Sequence, residues 1–244
     1  MAVPTKSLQQ ADAKIGSDLP SRARRCAWFV LVALSAYYLY RAINYRFLKP
    51  DRLGPSLFNK QIWYFAHVIV ALPVLVGAPL QFISSLRAKR PALHRMVGRM
   101  YVIGATLAAL TAIYLGGIVG EYEGSRLPIV LLASLWLFFT LAAWRCAVIG
   151  DFTAHRLFMI RSYGLALVLV WLRAMYDLQD WLFFYVKDEA LRNSTREWAS
   201  WVVPLLVLEL WLSWIPLLNS RDKREHKRSP RSPEQGTPTG HAST

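Results

Sequence analysis

The sequence predicts an all-α membrane protein with six transmembrane helices, in which spans two to five form a four-helix core. Three observations lead there. Of 244 residues, 55% are apolar and only 18% charged, against roughly 45–50% and about 25% in an ordinary soluble domain. Runs free of Asp, Glu, Lys and Arg recur along the chain, each close to the about 20 residues that cross a hydrocarbon layer of about 30 Å. The basic residues concentrate in alternate connections, which is the distribution that orients helices in a bilayer.

Residues 1–25 are polar, lack hydrophobic periodicity and end in Arg22, Arg24 and Arg25, so they read as a disordered cytoplasmic tail. The apolar run 26–40 follows these arginines in the charge order of a signal sequence. It continues past the small residues Ala33-Leu34-Ser35-Ala36 through Tyr37, Tyr38, Leu39 and Tyr40, so an uncleaved first helix is expected. Spans 61–86, 100–120 and 127–144 carry no Asp, Glu, Lys or Arg. Span 157–176 holds Arg161 and Arg173, and span 198–220 holds Glu209. The transmembrane domain is thus expected over 26–220. The remaining 221–244 is rich in Lys, Arg, Ser and Pro and reads as a basic, disordered cytoplasmic tail.

Orientation follows from the Lys and Arg counts. The two tails, the connection with Arg87, Lys89, Arg90, Arg95 and Arg99, and the one with Arg145, Arg156 and Arg161 together hold 19, and the opposite connections hold eight. Both termini are therefore expected in the cytoplasm. The net charge of +14 is read as decoration of loops and tail that face the lipid bilayer and its anionic headgroups, not as a nucleic-acid interface. Cys26 and Cys146 imply neither a disulfide framework nor a zinc site. No catalytic triad, phosphate loop, HExxH or CxxC pattern occurs, so no catalytic residue and no metal site is assigned. The sequon Asn193-Ser194-Thr195 falls in an outer connection.

The chemistry-bearing candidates are few. His94-Arg95 and His155-Arg156 each stand at the inner end of a span, with Tyr101 after the first and Ser162-Tyr163 after the second. This points to two parallel repeats, spans two and three and then four and five. Beside a helix N-terminus an imidazole is held neutral and available as a ligand. His94 and His155, with His67 as a third, are therefore candidate ligands of a haem b, with Arg95, Arg99, Arg156 or Arg161 on its propionates. The same His-Arg pairs serve equally as anchors for lipid phosphates. His67 and Arg173 fall at similar depth near the outer face, and Arg173 and Asp177 are spaced to pair along one helix. Glu209 lies about 14 Å from the inner face, where Arg161 at ~6 Å and Arg173 at ~24 Å flank it without matching it. It is expected to face the bundle interior as a neutral carboxyl. Two function classes follow: a haem-binding or redox-linked membrane protein using the histidines, or a transporter or binding protein for a small lipophilic or anionic ligand using Glu209 and the His67/Arg173 layer.

The run Gly77-Ala78-Pro79-Leu80-Gln81-Phe82, the element Pro91-Ala92-Leu93-His94-Arg95-Met96-Val97-Gly98-Arg99-Met100-Tyr101, and His155 through Ser162 with Arg173 downstream together carry a resemblance. The sequence resembles the predicted membrane proteins grouped as domain of unknown function 2306, over approximately His67 to Arg173. The resemblance implies a multi-pass protein of the bacterial inner (plasma) membrane and carries no established activity.

Overall fold

A computed structural model describes residues 21–47, 58–120 and 123–218. The expected tail residues 1–20 and 221–244, and Glu121, lie outside the described residues. The long helices are α1 (Ser21–Phe47), α2 (Phe58–Gln81), α4 (Pro91–Ala112), α5 (Glu123–Val148), α6 (Phe152–Ala166), α7 (Val168–Asp177) and α9 (Glu189–Glu209). Short helices α3 (Ser84–Lys89) and α8 (Gln179–Leu182) fill two connections.

Local chemistry sets the boundaries. Pro91 opens α4 at a position where its missing N–H has no helical partner to lose. The Asp151 carboxylate caps α6 by accepting from the Ala154 N–H at 3.0 Å, and Asp188 caps α9 through Leu191 N–H at 2.7 Å. Gly150, at φ 81°, takes the left-handed turn that ends α5 and reverses the chain into α6. Two helices widen near their ends: α4 continues as a π-type turn over Ile113–Ile118, and α9 as one over Leu210–Trp214.

Among the described residues five helical segments are long and apolar enough to cross a membrane: Ile62–Gln81, Pro91–Ile118, Glu123–Ile149, Phe152–Asp177 and Glu189–Leu218. They match expected spans two to six, with corrected limits. Span two stops at Gln81 rather than residue 86, and span three starts at Pro91, so His94, Arg95 and Arg99 are helical. Span five is broken at Leu167, whose carbonyl accepts from both Val170 and Trp171. Span six begins at Glu189, nine residues before the expected Trp198, because Asp188 supplies a cap that hydropathy does not register. The first helix starts at Ser21, which puts Arg22, Arg24 and Arg25 in its first turns instead of in a tail.

The most extensive packing is within two antiparallel hairpins, α2 with α4 and α5 with α6. Small residues allow close approach: at Gly104 a Cβ would lie 2.7 Å from the carbonyl oxygen of Val70 in α2. The buried apolar cluster draws chiefly on these four helices, through Val74, Tyr101, Ala105, Trp136 and Met159. It reaches further than the expected four-helix core of spans two to five, because Tyr38 of α1 and Trp201 of α9 belong to it. The first helix is also tied by charge, since Arg41 pairs with Asp177 at the end of α7. Asp177, expected to pair with Arg173 along one helix, thus has a partner on α1.

Candidate functional site

Because α4 and α6 each lead the same sense out of a hairpin turn, their matching residues meet. His94 and Tyr101 are separated by two helical turns, and so are His155 and Ser162, so each pair shares one face. Those faces oppose one another. The Tyr101 hydroxyl lies 2.8 Å from Ser162 Oγ, and Ser162 Oγ lies 2.8 Å from Thr140 Oγ1 of α5. Thr140 donates to the Trp136 carbonyl at 2.8 Å, so its oxygen accepts from Ser162 and Ser162 accepts from Tyr101. Three helices are thereby joined by one directional chain of hydroxyls, all fully or almost fully buried.

Two turns nearer the start of α4 and α6 stand the histidines. His155 Nδ1 is 2.9 Å from the Ala143 carbonyl oxygen. A carbonyl only accepts, so Nδ1 carries the proton and Nε2 keeps a lone pair. His94 and His155 are each the fourth residue of their helix, at the same end of the bundle. The His94 Nδ1 atom is buried and has no hydrogen-bond partner.

The α2 side of this seam supplies Gln81, 7% exposed, whose amide oxygen would stand 3.5 Å from a Cβ on Gly98, one turn beyond His94. Its Nε2 is buried without a partner. Next to it the Phe82 ring packs on Tyr163 at 5.6 Å between centroids, and Trp28 of α1 closes the group at 5.8 Å from Phe82. Tyr163 is 5% exposed and its hydroxyl is likewise unpartnered, as is the indole N–H of Trp136. Buried polar atoms are paired in the great majority of cases. Four unpaired ones around one seam are a departure.

The other expected candidates fall elsewhere. Arg95, Arg99 and Arg156 are exposed. Arg161 points away from the histidines: its Nε donates to Glu209 Oε1, and its Nη2 donates to Glu209 Oε2 and to Ser213 Oγ, each at 2.9 Å. Ser213 in turn donates to Glu209 Oε2 at 2.9 Å. Every contact of this carboxylate is with a donor, so the expected neutral Glu209 is replaced by a bidentate ion pair. Arg161 lies deeper than expected because α6 starts at Phe152, five residues before the expected span. Arg161 lies nine residues past Phe152 and Glu209 nine residues before Leu218, so both sit about 14 Å from the same end of the bundle. His67 donates from Nδ1 to Thr111 Oγ1 at 2.9 Å, inside its own hairpin; Thr111 spends its proton on the Leu107 or Ala108 carbonyl. The sequon is helical, and the Asn193 amide oxygen accepts from Arg196 at 2.6 Å. Among the described residues no group of three His, Cys, Asp or Glu side chains is arranged to hold a metal.

Sequence reasoning noted Tyr101, Ser162 and Gln81 within motifs but gave them no role, and it missed Thr140. The signal was there: a hydroxyl residue in an otherwise apolar span, and a polar residue two turns after each His-Arg pair.

An all-helical bundle with several membrane-length apolar helices and a polar seam enclosed between two hairpins defines a multi-pass membrane protein. The family model described as Predicted membrane protein (DUF2306) matches residues 64–212, and the chain belongs to that family. The matched stretch contains the whole seam from Gln81 to Tyr163 and the Arg161–Glu209 pair. No curated protein and no solved structure matches the chain.

Proposed function

We propose that this protein binds a small molecule bearing acceptor oxygens, a lipophilic carbonyl compound or a small anion, in the seam between its two hairpins. One observation carries the reading: the donors Gln81 Nε2, Tyr163 Oη and Trp136 Nε1, with His94 Nδ1, are buried and unpaired. Bulk water is absent from a membrane interior, and an unpaired buried polar group there costs several kcal/mol by order of magnitude. A carbonyl or carboxylate oxygen of a guest would supply the acceptor that such a donor lacks. The binding role rests on this seam rather than on Glu209 and the His67/Arg173 layer, because Glu209 and His67 already have partners.

A haem b between His94 and His155 is the second reading, favoured by the Nε2 lone pair of His155. Bound there, the haem would supply electron transfer, and Arg95 and Arg99 at the same end of α4 would meet its propionates. The closed Tyr101–Ser162–Thr140 chain leaves a macrocycle only the interfacial end of the seam.

Detergent-purified protein separates the two. A co-purifying small molecule in native mass spectra, lost in Gln81→Leu and Tyr163→Phe but retained in Lys89→Gln, is the expected result. A Soret band lost in His94→Ala and His155→Ala supports the second reading. Ligand-free spectra from freshly prepared wild-type protein, without Soret absorbance, overturn both.

The membrane arrangement proposed with this function has six spans, α1 being the first, and both termini in the cytoplasm of a bacterial inner membrane. Spans two to five form its central four-helix unit. The 19 to eight split of basic residues supports this, as does the 27-residue length of α1. Reporter fusions after Glu123 and after Lys187 should read outside and one after Arg90 inside. An outside signal at Arg90 overturns the map.

A further inference from the structure

At the end of the bundle remote from the histidines, a cavity of about 240 Å³ is lined by Tyr176, Gln179, Lys187, Glu189, Arg192 and Asn193. It lies 21 residues past His155 along α6 and α7, about 30 Å for helical chain. Behind it stands Arg196, 9% exposed, which donates to Gln179 Oε1 at 2.8 Å and to Asn193 Oδ1 at 2.6 Å and lies 4.7 Å from the centre of the Tyr176 ring. With both amide oxygens accepting from Arg196, the amide groups of Gln179 and Asn193 keep their N–H donors for a ligand. Arg192 is held on the wall by its hydrogen bonds to the Val186 and Lys187 carbonyls. The Lys187 ammonium has no partner among the described residues. Asp180 stands outside, 92% exposed and 3.7 Å from Arg192. Within the lining Glu189 is the one acidic side chain.

The polar lining therefore has two poles: donors and cations from Lys187, Arg192, Gln179 and Asn193, and a single carboxylate from Glu189. Next to it the chain displays apolar surface to its surroundings. Trp181 and Phe184 are each 75% exposed, and Tyr185 and Leu178 are 65% and 52% exposed. Aromatic side chains at the end of membrane spans sit at headgroup level, with acyl chains on one side and water on the other.

We infer that this cavity binds the headgroup of an aminophospholipid. The phosphate is held by Lys187, Arg192 and the two amide groups, the primary ammonium is held by Glu189, and the acyl chains lie along Trp181, Phe184 and Tyr185. A carboxylate beside the phosphate pole distinguishes an ammonium with N–H donors from a quaternary one and from a headgroup with no cation.

The full-length protein, delipidated in detergent and offered an equimolar mixture of phosphatidylethanolamine, phosphatidylcholine and phosphatidylglycerol with matched acyl chains, tests this by native mass spectrometry. One phosphatidylethanolamine should be retained in preference to the other two, by about five- to tenfold. Glu189→Gln should abolish the preference over phosphatidylcholine, and Lys187→Gln should weaken retention of all three, with unchanged melting temperature in both. Equal retention of the three lipids by wild type, or a preference for phosphatidylglycerol, overturns the assignment. So does protection by soluble phosphoethanolamine as strong as that by the lipid, because the ligand would then be a free phosphate monoester and not a membrane lipid.

Discussion

Glu209→Leu is expected to cost about 3 kcal/mol of stability and to be worse than removing both partners together. The reason is what remains. Arg161 and Glu209 sit about 14 Å inside the same end of the bundle, and the guanidinium meets the carboxylate through Nε and Nη2. Deleting the acid leaves a guanidinium inside the apolar layer with Ser213 and the Phe158 ring as neighbours, and an uncompensated charge of that kind is costed at about 3 kcal/mol. The side chains are 14% and 25% exposed, so solvent relief is small. Replacing both with apolar residues, Arg161→Met with Glu209→Leu, removes the charge and its desolvation together and should recover most of the loss. Glu209→Gln keeps an acceptor for Nη2 and should fall between. Glu209→Lys puts two cations side by side and should not fold. Melting curves of detergent-solubilised variants, read by size-exclusion fluorescence, rank them. A double variant as damaged as Glu209→Leu would show that the pair does not act as a unit.

Gly104→Ala is expected to destabilise by about 2 kcal/mol, although alanine is the better helix former. A methyl group at that position would stand 2.7 Å from the Val70 carbonyl oxygen and 3.0 Å from Val74 Cγ2. The first of these is backbone, which cannot rotate aside, so α2 and α4 must separate along their whole contact. Gly98→Ala six residues earlier is the control. Its methyl group would meet only Gln81 Oε1, at 3.5 Å, an ordinary contact. There the helical preference for alanine should appear as neutral or slightly higher stability, up to about 1 kcal/mol. A Gly104→Ala protein that melts with the Gly98→Ala protein would mean that the hairpin has slack at this crossing.

The expected repeat and the observed seam are one feature seen at two levels. The duplicated His-Arg with a polar residue two turns later is a sequence pattern, and it predicts that two helices carry matching faces. That α4 and α6 lie parallel and in register, so that Tyr101 meets Ser162 and not a lipid chain, is a statement about how two hairpins dock. The motif names the residues, and the docking makes them neighbours. Thr140 shows the limit plainly. Within its own span it is a minor polar interruption, and its role exists only because Ser162 arrives from the next helix at 2.8 Å.

By itself the sequence determined that the chain crosses membranes, where most spans lie, that they pair as hairpins, and that His94 and His155 share a depth. These follow from hydropathy, charge placement and helical period, which are local and sum along the chain. The tertiary structure alone decided who pairs with whom. Asp177 goes to Arg41, 136 positions away, and Arg161 goes to Glu209 across 48 positions. His67 closes on Thr111, and Arg196 organises a cavity that no motif announced. The physical reason is that a buried charge or donor takes its partner from whatever helix packs against it. That depends on where each helix begins, and the Asp151 cap starts α6 five residues before the expected span, which carries Arg161 to the level of Glu209.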